Sequence, residues 1–107
     1  MHDEPDLHEM TLTGVMSALA DPVRVTILRE IAARGESACG TFELGVTKAT
    51  RSHHFKVLRE AGLTRTRAVG THRFVSLRSE EVEERFPGLL AAVLAAAEAE
   101  QLSALRA

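Results

Sequence analysis

Residues 46–77 read VTKATRSHHFKVLREAGLTRTRAVGTHRFVSL, and the order of signals within them decides the fold. Thr47 is suited to cap a helix. After it Phe55, Leu58 and Ala61 recur at helical spacing, facing the body, and Gly62 ends the run. The period then changes. Thr64-Arg65-Thr66-Arg67 and the run from His72 to Leu77 are alternating and rich in β-branched residues, joined around Val69-Gly70-Thr71, which predicts a two-stranded hairpin. Extended by one residue to Arg78, the stretch holds eight of the thirteen Lys and Arg residues and a single acid, Glu60. A formal charge of +7 is thus set against −9 in the rest of a chain whose net charge is only −2. A cationic patch on a small acidic body is the electrostatic footprint of nucleic-acid binding. An Arg-rich solvated helix face accounts for the composition but not for the segregation.

Working outward, 107 residues make one domain, near the size where a partner subunit helps. Residues 1–6 are expected to form a flexible tail and 7–107 the domain. No stretch approaches the roughly eighteen apolar residues of a membrane span. The acidic start, MHDEPDLHEM, is unlike a secretory signal. One cysteine, Cys39, excludes an internal disulfide and fits a reducing cytoplasm, the expected location. A helix is predicted over 7–20, with Leu12, Val15, Met16 and Leu19 as its stripe and Gly14 as a weak point. Asp21 caps the next helix and Pro22 suits its first position. That helix, over 22–34, buries Val23, Ile27, Leu28 and Ile31, and Gly35 ends it. Residues 38–44 are predicted to make one or two helical turns, broken by Gly45. Ser79 is expected to cap a Glu-rich helical region that Pro87-Gly88 interrupts, and an Ala-rich helix resumes over 89–105. The sum is a mainly α winged helix-turn-helix of about five helices plus a hairpin wing.

In such a unit the first two turns of the recognition helix enter the major groove. Thr47, Lys48, Ala49, Thr50, Ser52 and His53 are therefore the candidates for DNA contact. Lys48 suits guanine edges, Ala49 thymine methyls, and Thr50 or Ser52 either bases or phosphates. Lys56 and Arg59 lie further along, nearer the backbone. On the hairpin Arg67, His72 and Arg73 flank the tip, placed for phosphate or the minor groove. Capping alone would also explain Thr47. His54 is expected to pack or hydrogen-bond within the domain. Arg51 falls on the inward face. It either lies along the body and pairs with an acid such as Glu43, or reaches DNA, and it is counted here with the DNA contacts.

Two stretches, ALADPVRVTILREI at 18–31 and SHHFKVLREAGL at 52–63, resemble the ArsR/SmtB family of small bacterial repressors. The family's opening to the second helix stands here as Leu19-Ala20-Asp21-Pro22-Val23-Arg24. Its recognition-helix run stands as Ser52-His53-His54-Phe55-Lys56-Val57-Leu58, with Phe55 in place of the usual leucine, and Gly62-Leu63 follows. The likeness covers about residues 16–77. It implies a homodimer, paired through its first and last helices, that represses transcription and is released from its operator by a small signal. Arg51 departs from the pattern, which has an apolar residue there. The Ala-rich last helix suits close helix approach in a dimer, the alternative being that it covers its own monomer. A two-fold dimer would place two recognition helices roughly 34 Å apart and read an inverted repeat.

Many relatives hold a metal through paired cysteines on the short third helix or through His, Asp and Glu on the last. Here the third-helix region has Cys39 alone, and the last helix has no His, Cys or Asp. The remaining candidates are His2, Asp3 and His8. His2-Asp3 beside a free amino group suits nickel or copper, and a solvated tail is the plainer reading. Cys39 is either a redox switch or a small buried hydrophobe. An enzyme would need a nucleophile with its base, paired carboxylates, a phosphate loop or a closed metal site, and none is apparent. The serious rival is a winged helix that binds protein as a co-regulator, without sequence-specific DNA binding of its own.

Overall fold

A computed structural model describes residues 4–106. Its first α-helix begins later than the apolar periodicity predicts. Leu7–Glu9 make a single 3-10 turn, and Met10 is extended and buried. Thr11 then caps α1 (Leu12–Leu19), accepting from the Gly14 N–H at 3.0 Å. The extended backbone at Met10 and Thr11 delivers the Met10 side chain into the core against Gly62, which interrupts the helix expected over 7–20. Within the stretch expected as a tail, residues 4 and 5 are tied to the body, and residues 1–3 lie outside the described residues. Glu4 Oε2 accepts from the Thr66 N–H at 2.8 Å, and the Pro5 carbonyl accepts from Arg78 at 2.7 Å.

Asp21 and Pro22 start α2 (Pro22–Arg34) as the sequence predicts. The Asp21 carboxylate accepts from the N–H groups of Val23 at 2.8 Å and Arg24 at 3.3 Å. Desolvation works to raise the Asp21 pKa, but those two bonds outweigh it and hold the group below the usual carboxylate range. Ile27, Leu28 and Ile31 are buried, with Val23 half-buried beside them, and Gly35 closes the helix at φ 78°.

The region 38–44 departs most from expectation. It keeps one helical turn, the 3-10 turn Cys39–Thr41, but opens with a strand that was not expected, β1 (Ser37–Ala38). Ser37 and Ala38 pair with Val75 and Phe74, so their backbone groups are satisfied by a distant strand rather than by a local helix. Thr41 donates to the Ala38 carbonyl at 2.7 Å, and Phe42 plugs the core edge-on to Phe55, ring centres 5.2 Å apart.

Thr47 caps α3 (Lys48–Ala61), accepting from the Thr50 N–H at 3.1 Å. Phe55 and Leu58 are buried and Ala61 half-buried. Gly62 ends the helix at φ 92°, and the Leu63 N–H returns to the Leu58 carbonyl at 3.0 Å. The wing follows as β2 (Thr64–Val69) and β3 (His72–Leu77), antiparallel, with Val69 opposite His72. Only Gly70 of the two loop residues takes positive φ, as a type II′ turn requires. The third strand, β1, lies on the other side of β3, so the wing is part of a three-stranded sheet rather than a lone hairpin.

Arg78, not Ser79, occupies the N-cap of α4 (Ser79–Arg85), and no side chain caps it. Arg78 is buried and donates to Glu81 at 2.7 Å as well as to Pro5, which holds the chain in the turn that Ser79 was expected to make. After Pro87-Gly88 the chain bends by 110° into α5 (Leu89–Arg106). Leu90 is the one fully buried residue of α5; Leu102 and Leu105 are exposed. No single helix among the described residues is long and apolar enough to cross a membrane. The core joins Val15 and Ala18 of α1, the α2 and α3 residues named above, Val75 of β3, Val82 of α4 and Leu90.

Candidate nucleic-acid interface

The leading end of α3 is open. Thr47, Lys48, Ala49, Thr50, Ser52, His53 and Lys56 are all exposed, and Arg51 is half-buried. Thr47 and Thr50 are partly committed to each other, since the Thr47 hydroxyl also donates to the Thr50 hydroxyl at 2.9 Å. Lys48, Ala49, Ser52 and His53 make no such bond among the described residues. Arg51 does not pair with Glu43. It lines a cleft of about 600 Å³ between α3 and the wing, bordered also by Lys48, Ser52, His72 and Arg73. The 3-10 turn Cys39–Thr41 forms its remaining wall. A second cleft of about 390 Å³, further along α3, brings Lys56 and Arg59 against the same Cys39 and Arg73.

Strand parity explains which wing residues join this cluster. Val75 faces the core, so Arg73, two positions earlier, shares its sheet face and is aimed toward α3. Arg67 pairs in register with Phe74 and therefore sits on the opposite face. Its guanidinium lies 5.2 Å from the Phe74 ring centre and donates to Glu36 at 2.7 and 3.4 Å. The hydrogen bond from Arg67 holds the Glu36 carboxyl below its ordinary range and raises the Arg67 pKa in return. Arg65 is likewise tied to Glu81 at 2.7 Å and Glu4 at 3.7 Å. Of the expected wing contacts, Arg73 stands with the recognition helix by parity, His72 shares the Phe74 face by parity yet reaches the cleft at the hairpin end, and Arg67 is set apart with an acid.

Two contributions were missed by sequence reasoning. Cys39 lies among the cations: burial pushes its thiol pKa up, and Arg73, Arg51 and Arg59 offset part of that rise. Arg24 ties α1 to the recognition helix, donating to the Ala18 carbonyl at 2.6 Å and to His54 Nδ1 at 3.2 Å. That contact makes His54, which is buried, a packing residue as expected. Among the described residues no group of three or more His, Cys, Asp or Glu side chains is placed to hold a metal. His8 stands exposed and by itself on its 3-10 turn, while His2 and Asp3 lie outside the described residues.

An exposed helix start beside a cationic wing strand defines a winged helix-turn-helix domain of the DNA-reading class. Residues 19–67 match the family described as a helix-turn-helix domain. The chain is 40% identical over 79 residues to the uncharacterized HTH-type transcriptional regulator YceK of Bacillus subtilis (strain 168), covering 71% of this chain and 79% of that one. It is 37% identical over 67 residues to the arsenical resistance operon repressor of the same organism, covering 61% and 64% of the two chains. A possible transcriptional regulatory protein from Mycobacterium bovis (fragment 1–100) shares its fold with a TM-score of 0.65 at 29% identity, covering 81% and 90%. An ArsR family transcriptional regulator at 24% identity does so with a TM-score of 0.58, covering 90% and 91%. The chain belongs to the ArsR-type winged helix-turn-helix transcriptional regulators.

Proposed function

We propose that the chain is a cytoplasmic repressor that binds an inverted-repeat operator as a homodimer and leaves it when a small effector binds. The observation that carries the DNA reading is the open leading end of α3, with Lys48, Ala49, Ser52 and His53 exposed beside Arg73 of the wing, which makes no ion pair among the described residues. Lys48 and Ser52 supply donors for base edges, and Arg73 supplies charge for the adjoining backbone. The homodimer is supported by apolar side chains left open on both terminal helices: Leu12 and Met16 on α1, Leu102 and Leu105 on α5. Two-fold pairing through those helices would cover them and set the two α3 helices about one DNA turn apart, roughly 34 Å.

The test is fluorescence anisotropy on duplex from upstream of the protein's own gene, across a salt series. Wild type is expected to bind with affinity falling steeply as salt rises. Lys48→Ala is expected to weaken binding about 5- to 150-fold, given the roughly 1–3 kcal/mol of a good base contact. Binding that is absent at low salt, or insensitive to both salt and Lys48→Ala, would leave the co-regulator reading in its place. Leu102→Glu with Leu105→Glu should convert a dimer to a monomer by light scattering. A wild-type mass of one chain at micromolar concentration would refute the pairing.

A further inference from the structure

The α3–wing cleft holds more cationic chemistry than base reading requires. Arg24, Arg34, Arg65, Arg67, Arg78 and Arg85 each donate to a named oxygen or nitrogen of the protein. Arg51 and Arg73 do not: among the described residues neither side chain makes a hydrogen bond or an ion pair. Both line the same cleft, one from α3 and one from β3, together with Lys48 and His72, and no Asp or Glu among the described residues lines it. Arg51 is half-buried, and no described residue supplies it with a counter-charge. Two guanidinium groups lining one space, with no acid among the described residues beside them, are the donor set that suits a tetrahedral oxyanion. The volume of about 600 Å³ exceeds what a bare ion needs and suits a phosphate on an organic carrier.

We propose that this cleft is a phosphate-group site in which Arg51 from α3 and Arg73 from β3 grip one phosphate between them. The phosphate comes either from the backbone of the duplex that α3 reads, a source that rests on the DNA reading above, or from a free phosphorylated ligand. In both cases the two arginines act on a single group rather than on two.

The experiment uses the full chain at constant ionic strength, with inorganic phosphate replacing chloride, followed through the side-chain Nε resonances of arginine. Saturable shifts are expected at Arg51 and Arg73 but not at Arg106, with Arg51→Gln or Arg73→Gln weakening phosphate binding about tenfold. In parallel, the slope of log affinity for duplex against log salt is measured for each variant and for the double variant. Loss of one shared phosphate contact lowers that slope by no more than about 0.9, in the double variant as in the singles. That pattern assigns the site to a backbone phosphate, whether or not inorganic phosphate saturates. Saturation with an unchanged slope assigns it to a free phosphorylated ligand. A double variant losing about 1.8 means two separate phosphates and overturns the shared grip. No saturation together with unchanged slopes overturns the site altogether. If wild type fails to bind duplex, the DNA reading falls and the phosphate titration alone decides the cleft.

Discussion

Replacing Gly62 with alanine should damage this protein more than any other single methyl addition at a glycine among the described residues. Gly62 sits at the junction of α3 and β2, where the recognition helix hands over to the wing, and it takes φ 92°. An L-residue held in that left-handed region costs about 1–2 kcal/mol. A Cβ there would also lie 2.7 Å from Cγ and 2.9 Å from Sδ of Met10, which is 1% exposed and has little room to retreat. Overpacking of this kind costs about 1–3 kcal/mol, and the adaptable Met side chain argues for the lower half. The expected total is about 2–4 kcal/mol, or a fall in Tm of roughly 10–25 °C for a domain of this size. Thermal and urea unfolding at a fixed protomer concentration would measure it. The two contributions separate in a cycle with Met10→Ala: without the long side chain, Gly62→Ala should cost only the backbone part, about 1–2 kcal/mol. An equal cost in both backgrounds would show that Met10 does not press on this junction.

Three further outcomes follow from contacts named above. Asp21→Ala removes the acceptor for two N–H groups at the start of α2 and should cost about 0.5–2 kcal/mol in urea unfolding. Glu81 contributes to the acid limb of the pH dependence alongside Asp21 and Glu36; its pKa is lowered first by the Arg78 hydrogen bond, against burial, with Arg65 adding to the effect. A depressed folded-state pKa gives stability that is complete above the unfolded value and lost as pH falls through the folded one. Unfolding free energy should therefore drop on acidification below the ordinary value of 4.5, and Glu81→Gln should flatten that limb without steepening it anywhere. His54→Phe keeps a buried ring but takes the acceptor from Arg24, and should cost about 1.5–3 kcal/mol, the range for bonds to charged groups. A stability within 0.5 kcal/mol of wild type, roughly the scatter of neutral surface changes, would mean that the contact is incidental.

Local signals were legible in the sequence, and distant pairings were not. Asp21-Pro22, Thr47 and Gly62 each act within four residues of themselves, and each does in the structure what its chemistry predicts. The late start of α1 was hidden because Leu12, Val15 and Leu19 keep helical spacing whether the helix begins at Leu7 or Leu12. What stops it is Met10 meeting Gly62, fifty-two positions away. Ser37 and Ala38 form a strand only because β3 lies beside them, and two residues are too few to show a period of two. The division between Arg67 and Arg73 lay within reach. Counting back from Val75 puts Arg73 on the core side, and the one acid that could claim Arg67, Glu36, directly precedes β1.

The two stretches that carry the family likeness turn out to be one device. Asp21 starts α2 with Pro22 in its first turn, and Arg24 then reaches back to the last turn of α1 and across to His54 in the middle of α3. The Ala18 carbonyl takes the Nε bond and Ser17 a longer one at 3.4 Å, so one guanidinium fixes three helices in relation to each other. Arg24 and His54, thirty apart in the chain, thus serve the packing of α3 on the body, and buried His54 is not presented to a ligand. On the proposed DNA reading, operator preference then falls to side chains outside that contact, and on α3 the exposed ones are Lys48, Ala49, Ser52 and His53. Exchanging those four residues with a relative's should transfer operator preference while leaving unfolding within about 0.5 kcal/mol, as expected of exposed positions. Exchange of Arg24 and His54 should do the reverse.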